Sequence, residues 1–309
     1  MNSDEKLLAQ KMFRLKMYQQ KGMAFQAFFV DVMTRFDPDF TPVKPHGQEG
    51  DKKNDGFIPS KGKYYQVYAP EAPDNKKSIS TAIKKCKKDF AGLLDFWDSK
   101  TPIKEFYFVF NEEYRGAYPE ILAVLSEIQK NNPKIKASIF ICKDLENIFW
   151  EISDDDRAWL INCIPSPQKI EMVDYDALTE AINYIIENKI PIDGNNNLVV
   201  PDFDKKIKFN NLSPVVAALL TTANQQASAL EDYFEANSNF SREYLQKKFI
   251  NFYVEALKRI REDLPDKSDL VFLNILEKSS PRKERHVQDA VLVLMAYFFE
   301  TCDIFKEPK

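Results

Sequence analysis

Histidine and glycine are scarce in this chain of 309 residues, which contains two histidines and eight glycines. Its four cysteines are widely spaced and include no C-x-x-C pair. These counts argue against a disulfide framework and against a zinc site built from Cys and His. We interpret the cysteines as reduced thiols within a hydrophobic core.

Long apolar runs without charge are also absent. No segment approaches the roughly eighteen apolar residues that indicate a membrane-spanning helix. The first thirty residues carry charges throughout, unlike a secretory signal with a basic start and an apolar block. We therefore expect a cytoplasmic protein with no membrane partner.

Positive charge is not in excess overall, since the net charge is −4 and the pI is about 5.5. This balance gives no global signal for nucleic-acid binding, so any DNA contact must be local. One segment is a candidate because six lysines fall within thirteen residues: Lys76, Lys77, Lys84, Lys85, Lys87 and Lys88. A solvated helix face would explain the same run.

What the chain does contain is enough apolar sequence for a folded protein, at 44% of residues, with 13% aromatic. Periodicity predicts a mixed α/β domain over residues 1–165 and an all-α domain over residues 166–309, divided at Pro165 and Pro167. In the first domain we expect helices at 5–20 and 23–35, strands at 40–43, 56–59 and 64–68, a helix at 78–97, a strand at 105–110, a helix at 119–130, a strand at 137–142, and helical pieces from Asp144 and from 153–156.

In the second domain, the spacing of apolar residues indicates helices almost throughout. We expect helices at 176–188, 213–237, 241–262, 268–278 and 284–302, and residues 197–200 hint at a strand. The last helix is apolar round most of its circumference, so it must be buried in the domain core or against a partner.

The segment from Gly47 to Pro70 holds four of the eight glycines and an acid-bearing turn. Metal-dependent phosphodiester cleavage needs clustered oxygen ligands and a cation beside the scissile phosphate. Asp55 lies eleven residues before Gln66 and is the principal candidate ligand. Further ligands would come from the Gln66 side-chain oxygen or the Val67 carbonyl, and the shell could be completed by Asp51, Glu49 or Gln26.

Residues 22–70 resemble the PD-(D/E)xK, or restriction-endonuclease-like, nuclease superfamily. The resemblance rests on the helical segment Gly22 to Gln26, on Asp55-Gly56 and on Gln66-Val67-Tyr68. It implies a mixed sheet flanked by helices and a DNA endonuclease that depends on Mg²⁺ or Mn²⁺. In that family Asp55, Gln66 and Val67 would hold the metal and Gln26 would support the site.

The chain departs from the family pattern at Tyr68, where a lysine is expected. A phenol is neutral at pH 7 and cannot replace a fixed ammonium. The superfamily is known to move this lysine to a neighbouring helix, which here is the lysine-rich segment. At 100° per residue, Lys87 lies about 80° from the centre of the apolar stripe, Lys84 about 140° and Lys88 about 180°. Lys87 is therefore the first candidate, with Lys84 or Lys88 behind it.

Several other polar residues have both a functional and a structural explanation. His46 could assist water activation or could be a surface hydrogen-bonding residue. The group Asn111-Glu112-Glu113 with Arg115 follows a strand, where ligands often bind in α/β folds, but helix capping and ion pairing explain it equally. His286 fits a surface position at the start of a helix.

The end of the last helix, from Tyr297 to Phe305, resembles the C-terminal domain of proteins encoded beside SMC-like ATPases in three-component, Lamassu-like defence operons of prokaryotes. The resemblance implies an effector that docks on the ATPase complex through its helical domain and carries a nuclease domain in front of it. For the apolar last helix, a homo-oligomer interface is the alternative to core packing. Two hypotheses follow: an endonuclease effector, or a catalytically inert nuclease-like subunit that binds DNA or a partner ATPase. A nuclease that acts on RNA is a third hypothesis.

Overall fold

The computed structural model describes residues 1–44, 52–170, 172–188, 202–237, 242–301 and 304–306. The chain forms two compact units, one of residues 16–160 and one of residues 1–15 together with residues 161–309. The boundary expected at Pro165 stays a prediction.

The unit of residues 16–160 is a mixed α/β structure. Its first helix, α1 (Ser3–Gln19), begins in the other unit and ends here. The remaining elements are α2 (Gly22–Phe36), β1 (Thr41–Pro42), β2 (Gly56–Ile58), β3 (Lys63–Tyr68), α3 (Lys76–Trp97), β4 (Glu105–Phe110), α4 (Pro119–Asn131), β5 (Lys136–Phe140), α5 (Cys142–Glu151) and α6 (Asp154–Ile161).

The five strands form one sheet in the order β1-β2-β3-β4-β5. The first three are antiparallel neighbours, with Gly56 opposite Tyr65. A short turn joins β2 to β3, whereas α3 and α4 make the long crossovers that parallel neighbours require. Strands β3, β4 and β5 are accordingly parallel.

Helices α3 and α4 cover one face of the sheet with an aromatic core. Alternate residues of β3 point to this face, where Tyr64 stacks on Phe57 with a centroid distance of 5.2 Å. Phe106 and Phe108 of β4 are fully buried in the same core.

Helices α2 and α5 cover the opposite face. Tyr65 of β3 lies between Phe29 of α2 and Phe140, with ring centroids 5.6 Å and 6.2 Å away. The sheet is therefore buried on both faces, as expected for strands joined by helical crossovers.

In the part of the chain that the structure describes, every regular element of the second unit is a helix. Besides the start of α1 it contains α7 (Tyr175–Glu187), α8 (Phe203–Phe209), α9 (Pro214–Asn224), α10 (Ala227–Ala236), α11 (Arg242–Arg259), α12 (Lys267–Ser279) and α13 (Arg285–Thr301). Helix α13 is its central element, because the side chains from Val287 to Phe299 are almost completely buried. Packing within the unit thus accounts for the apolar character of this helix.

The predicted fold class, a mixed sheet with helices followed by a helical region, is confirmed. Several element boundaries differ. Helix α3 begins at Lys76 because the Asn75 side chain caps it, accepting a hydrogen bond of 2.9 Å from the Lys77 amide. The strand expected over 137–142 ends at Phe140, since the Asp144 carboxylate accepts from the Ile141 amide at 2.9 Å and starts α5 there.

The helix expected over 213–237 is two helices, α9 and α10, separated at Gln225 and Gln226. The Gln226 side chain accepts a hydrogen bond of 2.8 Å from the Val173 amide, a tertiary contact that periodicity cannot reveal. Helix α8 was not predicted, and the expected strand at 197–200 lies outside the described residues.

Cys86 and Cys142 are buried free thiols and Cys163 is partly buried, whereas Cys302 lies outside the described residues. In the part of the chain that the structure describes, no helix combines the length and apolar character needed to cross a membrane.

Candidate active site

Asp55 is positioned by the turn that leads into β2. The Asn54 side chain is fully buried, and its Oδ1 accepts a hydrogen bond of 3.1 Å from the Gly56 amide, which fixes the local turn. The Asp55 amide donates to the Tyr65 carbonyl at 3.1 Å. Gly56 is required because a Cβ there would lie 2.3 Å from Cζ of Phe40. The acid is therefore held at the start of β2 by backbone pairing and close packing.

The Asp55 carboxylate is 2% exposed and receives hydrogen bonds from two elements. Its Oδ1 accepts from Gln26 Nε2 of α2 at 2.5 Å, and its Oδ2 accepts from the Val67 amide of β3 at 2.6 Å. Helix α2 is held beside this end of the sheet because the Gly22 amide donates to the Ala69 carbonyl at 2.8 Å. The structure thus brings together Gln26, Asp55 and Val67, residues that are far apart in sequence.

Gln66 lies next to this group on β3 and is 3% exposed. Its Oε1 atom is buried without a hydrogen-bond partner. A buried amide oxygen without a donor carries a cost of about 1–3 kcal/mol, so such an atom calls for an explanation. Asp55 bonds through its amide to Tyr65 and through its carboxylate to Val67, the residues on either side of Gln66. An oxygen-seeking cation at this position would supply the missing partner.

The donor set for such a cation is small. Within the described ranges, no group of three or more His, Cys, Asp and Glu side chains could hold a metal ion. The expected further ligands Glu49 and Asp51 lie outside the described residues, as does His46. Asp55 and Gln66 nevertheless offer hard oxygen ligands that suit Mg²⁺, an ion that usually retains several waters and needs few protein ligands.

Tyr68, in the position where the family has lysine, belongs to the hydrophobic core. Its ring is stacked near Phe108 and Phe110, with centroid distances of 6.3 Å and 5.9 Å. Burial raises the pKa of the Tyr68 phenol above its usual value. The group therefore stays neutral and supplies no charge to the site.

The three predicted lysines of α3 lie on its exposed sides. Lys87 Nζ is 2.7 Å from Glu127 Oε2 of α4, in an ion pair with half-exposed partners. Lys84 and Lys88 are exposed. No contact in the described structure connects any of the three to Asp55, so their catalytic assignment stays a prediction.

Another pair of lysines adjoins the turn that carries Asp55. Asp89 of α3 is 2% exposed, and its carboxylate lies 3.5 Å from Lys53 Nζ and 2.5 Å from Lys85 Nζ. Lys53 precedes Asp55 by two residues and has a left-handed backbone with φ of 65°, as does Lys52 with φ of 52°. This conformation is uncommon outside glycine and is held here by contacts with α3.

Lys53 and Asp89 were not among the predicted site residues, and Lys85 was named only as part of the lysine-rich segment. Lys85 and Asp89 are four residues apart, a spacing that pairs side chains on one helix face and could have indicated them. Lys53 gave no such signal, because its contact with α3 depends on the tertiary fold.

The polar residues after β4 form a buried structural network. Asn111 donates through Nδ2 to the carbonyls of Met17 and Gln20, each at 3.0 Å. Glu113 forms an ion pair with Lys21. Glu112 is 1% exposed and accepts a hydrogen bond of 2.9 Å from the Cys142 amide.

Two further candidates lie beside carboxylates. Arg115 lies 2.9 Å from Asp74, and His286 lies 3.7 Å from Glu284 on the exposed surface. These contacts, like the network after β4, agree with the structural explanation of these residues.

Residues 176–306 match the family model of C-terminal domain 10 of the ABC-three component (ABC-3C) systems. No curated protein and no solved structure matches the chain. The matched region covers α7 to α13, so the helical unit is similar to a domain of these systems. This match supports a role for the chain as one component of a prokaryotic defence-type complex, in which it works with other subunits.

Proposed function

We propose that this chain is a Mg²⁺-dependent DNA endonuclease of the PD-(D/E)xK type and serves as the effector of its defence complex. The observation that carries this proposal is the buried Asp55 carboxylate, held by Gln26 Nε2 and the Val67 amide beside the unpartnered Gln66 Oε1. The order of elements, α2 followed by an antiparallel β1-β2-β3 hairpin set, α3 and a parallel β4, agrees with the family resemblance.

Asp55, Gln66 Oε1 and the Val67 carbonyl would hold the ion, which when bound would activate water and stabilise charge on the phosphate. Mn²⁺ would take the same ligands. Gln26 orients the Asp55 carboxylate through its amide. Lys53 and Lys85, both fixed by Asp89, supply positive charge on the hairpin side of α3, in the role first predicted for Lys87, Lys84 and Lys88.

The helical unit would dock this nuclease on a partner subunit, for which an SMC-like ATPase of a Lamassu-like system is our proposal. The match to an ABC-3C domain over residues 176–306 supports a docking role for this unit. The partner would hold the nuclease inactive until the partner senses invading DNA. The nuclease would then be released or would form a homo-oligomer.

The test is plasmid cleavage by the full chain, alone and with the other subunits of its complex. We expect nicking or linearisation with Mg²⁺ or Mn²⁺, none with EDTA, and none for Asp55→Ala. The matched control is Asp95→Ala, which removes an exposed carboxylate from α3 of the same unit. Cleavage by Asp55→Ala at the rate of the unmodified protein would remove the assignment. Mn²⁺ binding measured by calorimetry should be lost in Asp55→Ala and weakened in Gln66→Leu.

A second candidate is an inert nuclease-like subunit that binds DNA or a partner ATPase. It is favoured by Tyr68, whose neutral ring packs in the core, and by the absence, among the described residues, of any group of three or more His, Cys, Asp and Glu side chains that could hold a metal. This alternative predicts no cleavage under any metal condition, together with binding that EDTA leaves unchanged.

A further inference from the structure

The six lysines of α3 differ in whether their charge is neutralised. Lys85 pairs with Asp89, and Lys87 pairs with Glu127. Lys77, Lys84 and Lys88 are exposed, and among the described residues no carboxylate lies within ion-pair distance of their ammonium groups. Lys76, in the first turn, is likewise exposed and has no such carboxylate nearby among the described residues, so four of the six lysines carry free positive charge.

Three of these four lysines, Lys77, Lys84 and Lys88, lie on one face of α3. Lys77, Thr81, Lys84 and Lys88 are separated by four, three and four residues, the spacing that aligns side chains along a helix. The lysine ridge, defined as Lys77, Lys84 and Lys88, extends over about 16 Å of helix axis. The ridge ends at Lys88. Farther along the same face of the helix lies an exposed acid, Asp95.

The helix holds the ridge at a fixed geometry. Its opposite face buries Ala82, Cys86, Phe90 and Leu93 in the core over the sheet, so α3 cannot rotate. Three like charges on a rigid helix repel one another. A polyanion that lies along the helix would remove this repulsion and gain contacts with each ammonium.

We infer that the lysine ridge binds the phosphate backbone of double-stranded DNA. Along 16 Å of its axis, B-form DNA carries roughly ten backbone charges, which is ample to engage three lysines at once. The ridge contains no aromatic side chain. Single-stranded nucleic acids bind largely by stacking on aromatic groups, so the ridge suits a duplex better.

This inference names the substrate class of the proposed nuclease, and its biological meaning rests on that function. Binding to phosphates needs no divalent metal, however, so it can be measured in EDTA. A failure of cleavage and a failure of the ridge are therefore separate results.

The experiment measures the affinity of the full chain for a fluorescent 20-base-pair DNA duplex in EDTA between 50 and 200 mM salt. In the variant Lys77→Gln/Lys84→Gln/Lys88→Gln, we expect the slope of log affinity against log salt to fall by about 2.7, since each phosphate contact contributes about 0.9. Affinity at 50 mM salt should fall more than tenfold.

The matched control is Lys130→Gln/Lys134→Gln/Lys136→Gln, which removes the same charge from exposed lysines of the same unit. It should retain most of the slope. Equal loss in both variants, no binding by the unmodified chain, or tighter binding to single-stranded DNA or duplex RNA than to duplex DNA would each overturn the inference. Circular dichroism of both variants should match that of the unmodified chain.

Discussion

Gln26 Nε2 lies 2.5 Å from Asp55 Oδ1, a contact that joins α2 to the first strand of the hairpin across 29 residues of sequence. The carboxylate is buried, so the loss of any hydrogen-bond donor leaves its negative charge less well compensated. This one bond makes α2 part of the candidate site and ties local stability to the same residues that would hold a metal.

We predict that Gln26→Ala lowers the free energy of unfolding by about 1–2 kcal/mol, because a hydrogen bond to a charged group is lost. Urea denaturation followed by circular dichroism measures this. The control is Met23→Ala on the same helix, where the side chain is 71% exposed and truncation should change stability little. Equal effects of the two substitutions would show that the Gln26 contact contributes nothing specific.

The contact between Gln26 and Asp55 was within reach of sequence reasoning because a family resemblance linked the two segments. The mixed sheet followed by helices was predictable for a different reason, since continuous apolar strands such as β4 and amphipathic helices such as α3 have clear periods. Element ends and ion pairs were not predictable to the same degree. They depend on individual side chains, such as Asn75 capping α3 and Lys53 reaching Asp89, whose contacts form only after folding.

A second prediction concerns Asp89, whose carboxylate lies between Lys53 and Lys85. Asp89→Asn should destabilise the α/β unit by about 1 kcal/mol, because both lysines are partly exposed and can be solvated once the pair is broken. The left-handed residues Lys52 and Lys53 should also become more accessible to trypsin. The control is Asp95→Asn, which removes an exposed acid from the same helix. It should change neither the stability of the unit nor its cleavage by trypsin.

Close packing of Gly56 against Phe40 gives a third prediction. Gly56→Ala should destabilise the fold by about 1–3 kcal/mol, since the new methyl group would start 2.3 Å from Cζ of Phe40. Phe40→Leu removes the ring and should reduce the penalty of the alanine. A double-mutant cycle measured by urea denaturation should therefore give a favourable coupling energy. Strict additivity would mean that the two residues do not constrain each other.

The last prediction is a pH dependence set by Glu112. Burial raises the pKa of this carboxyl, and the Cys142 amide that donates to it only partly offsets the effect. For an acid with a raised pKa in the folded state, the unfolded state loses its proton first. Its contribution to stability is complete below the unfolded value of about 4.3 and is lost as the pH rises through the folded pKa.

Glu112→Gln removes this titration. Over the interval above pH 4.3, the stability of the unmodified protein should therefore fall relative to that of the variant, which should show a flatter profile. Urea denaturation of both proteins at half-unit steps from pH 4 to pH 8 measures the difference. Glu120→Gln, an exposed acid in the first turn of α4, is the control and should leave the profile of the unmodified protein in place. A stability difference between the Glu112→Gln variant and the unmodified protein that does not change with pH would show that Glu112 ionises alike in both states.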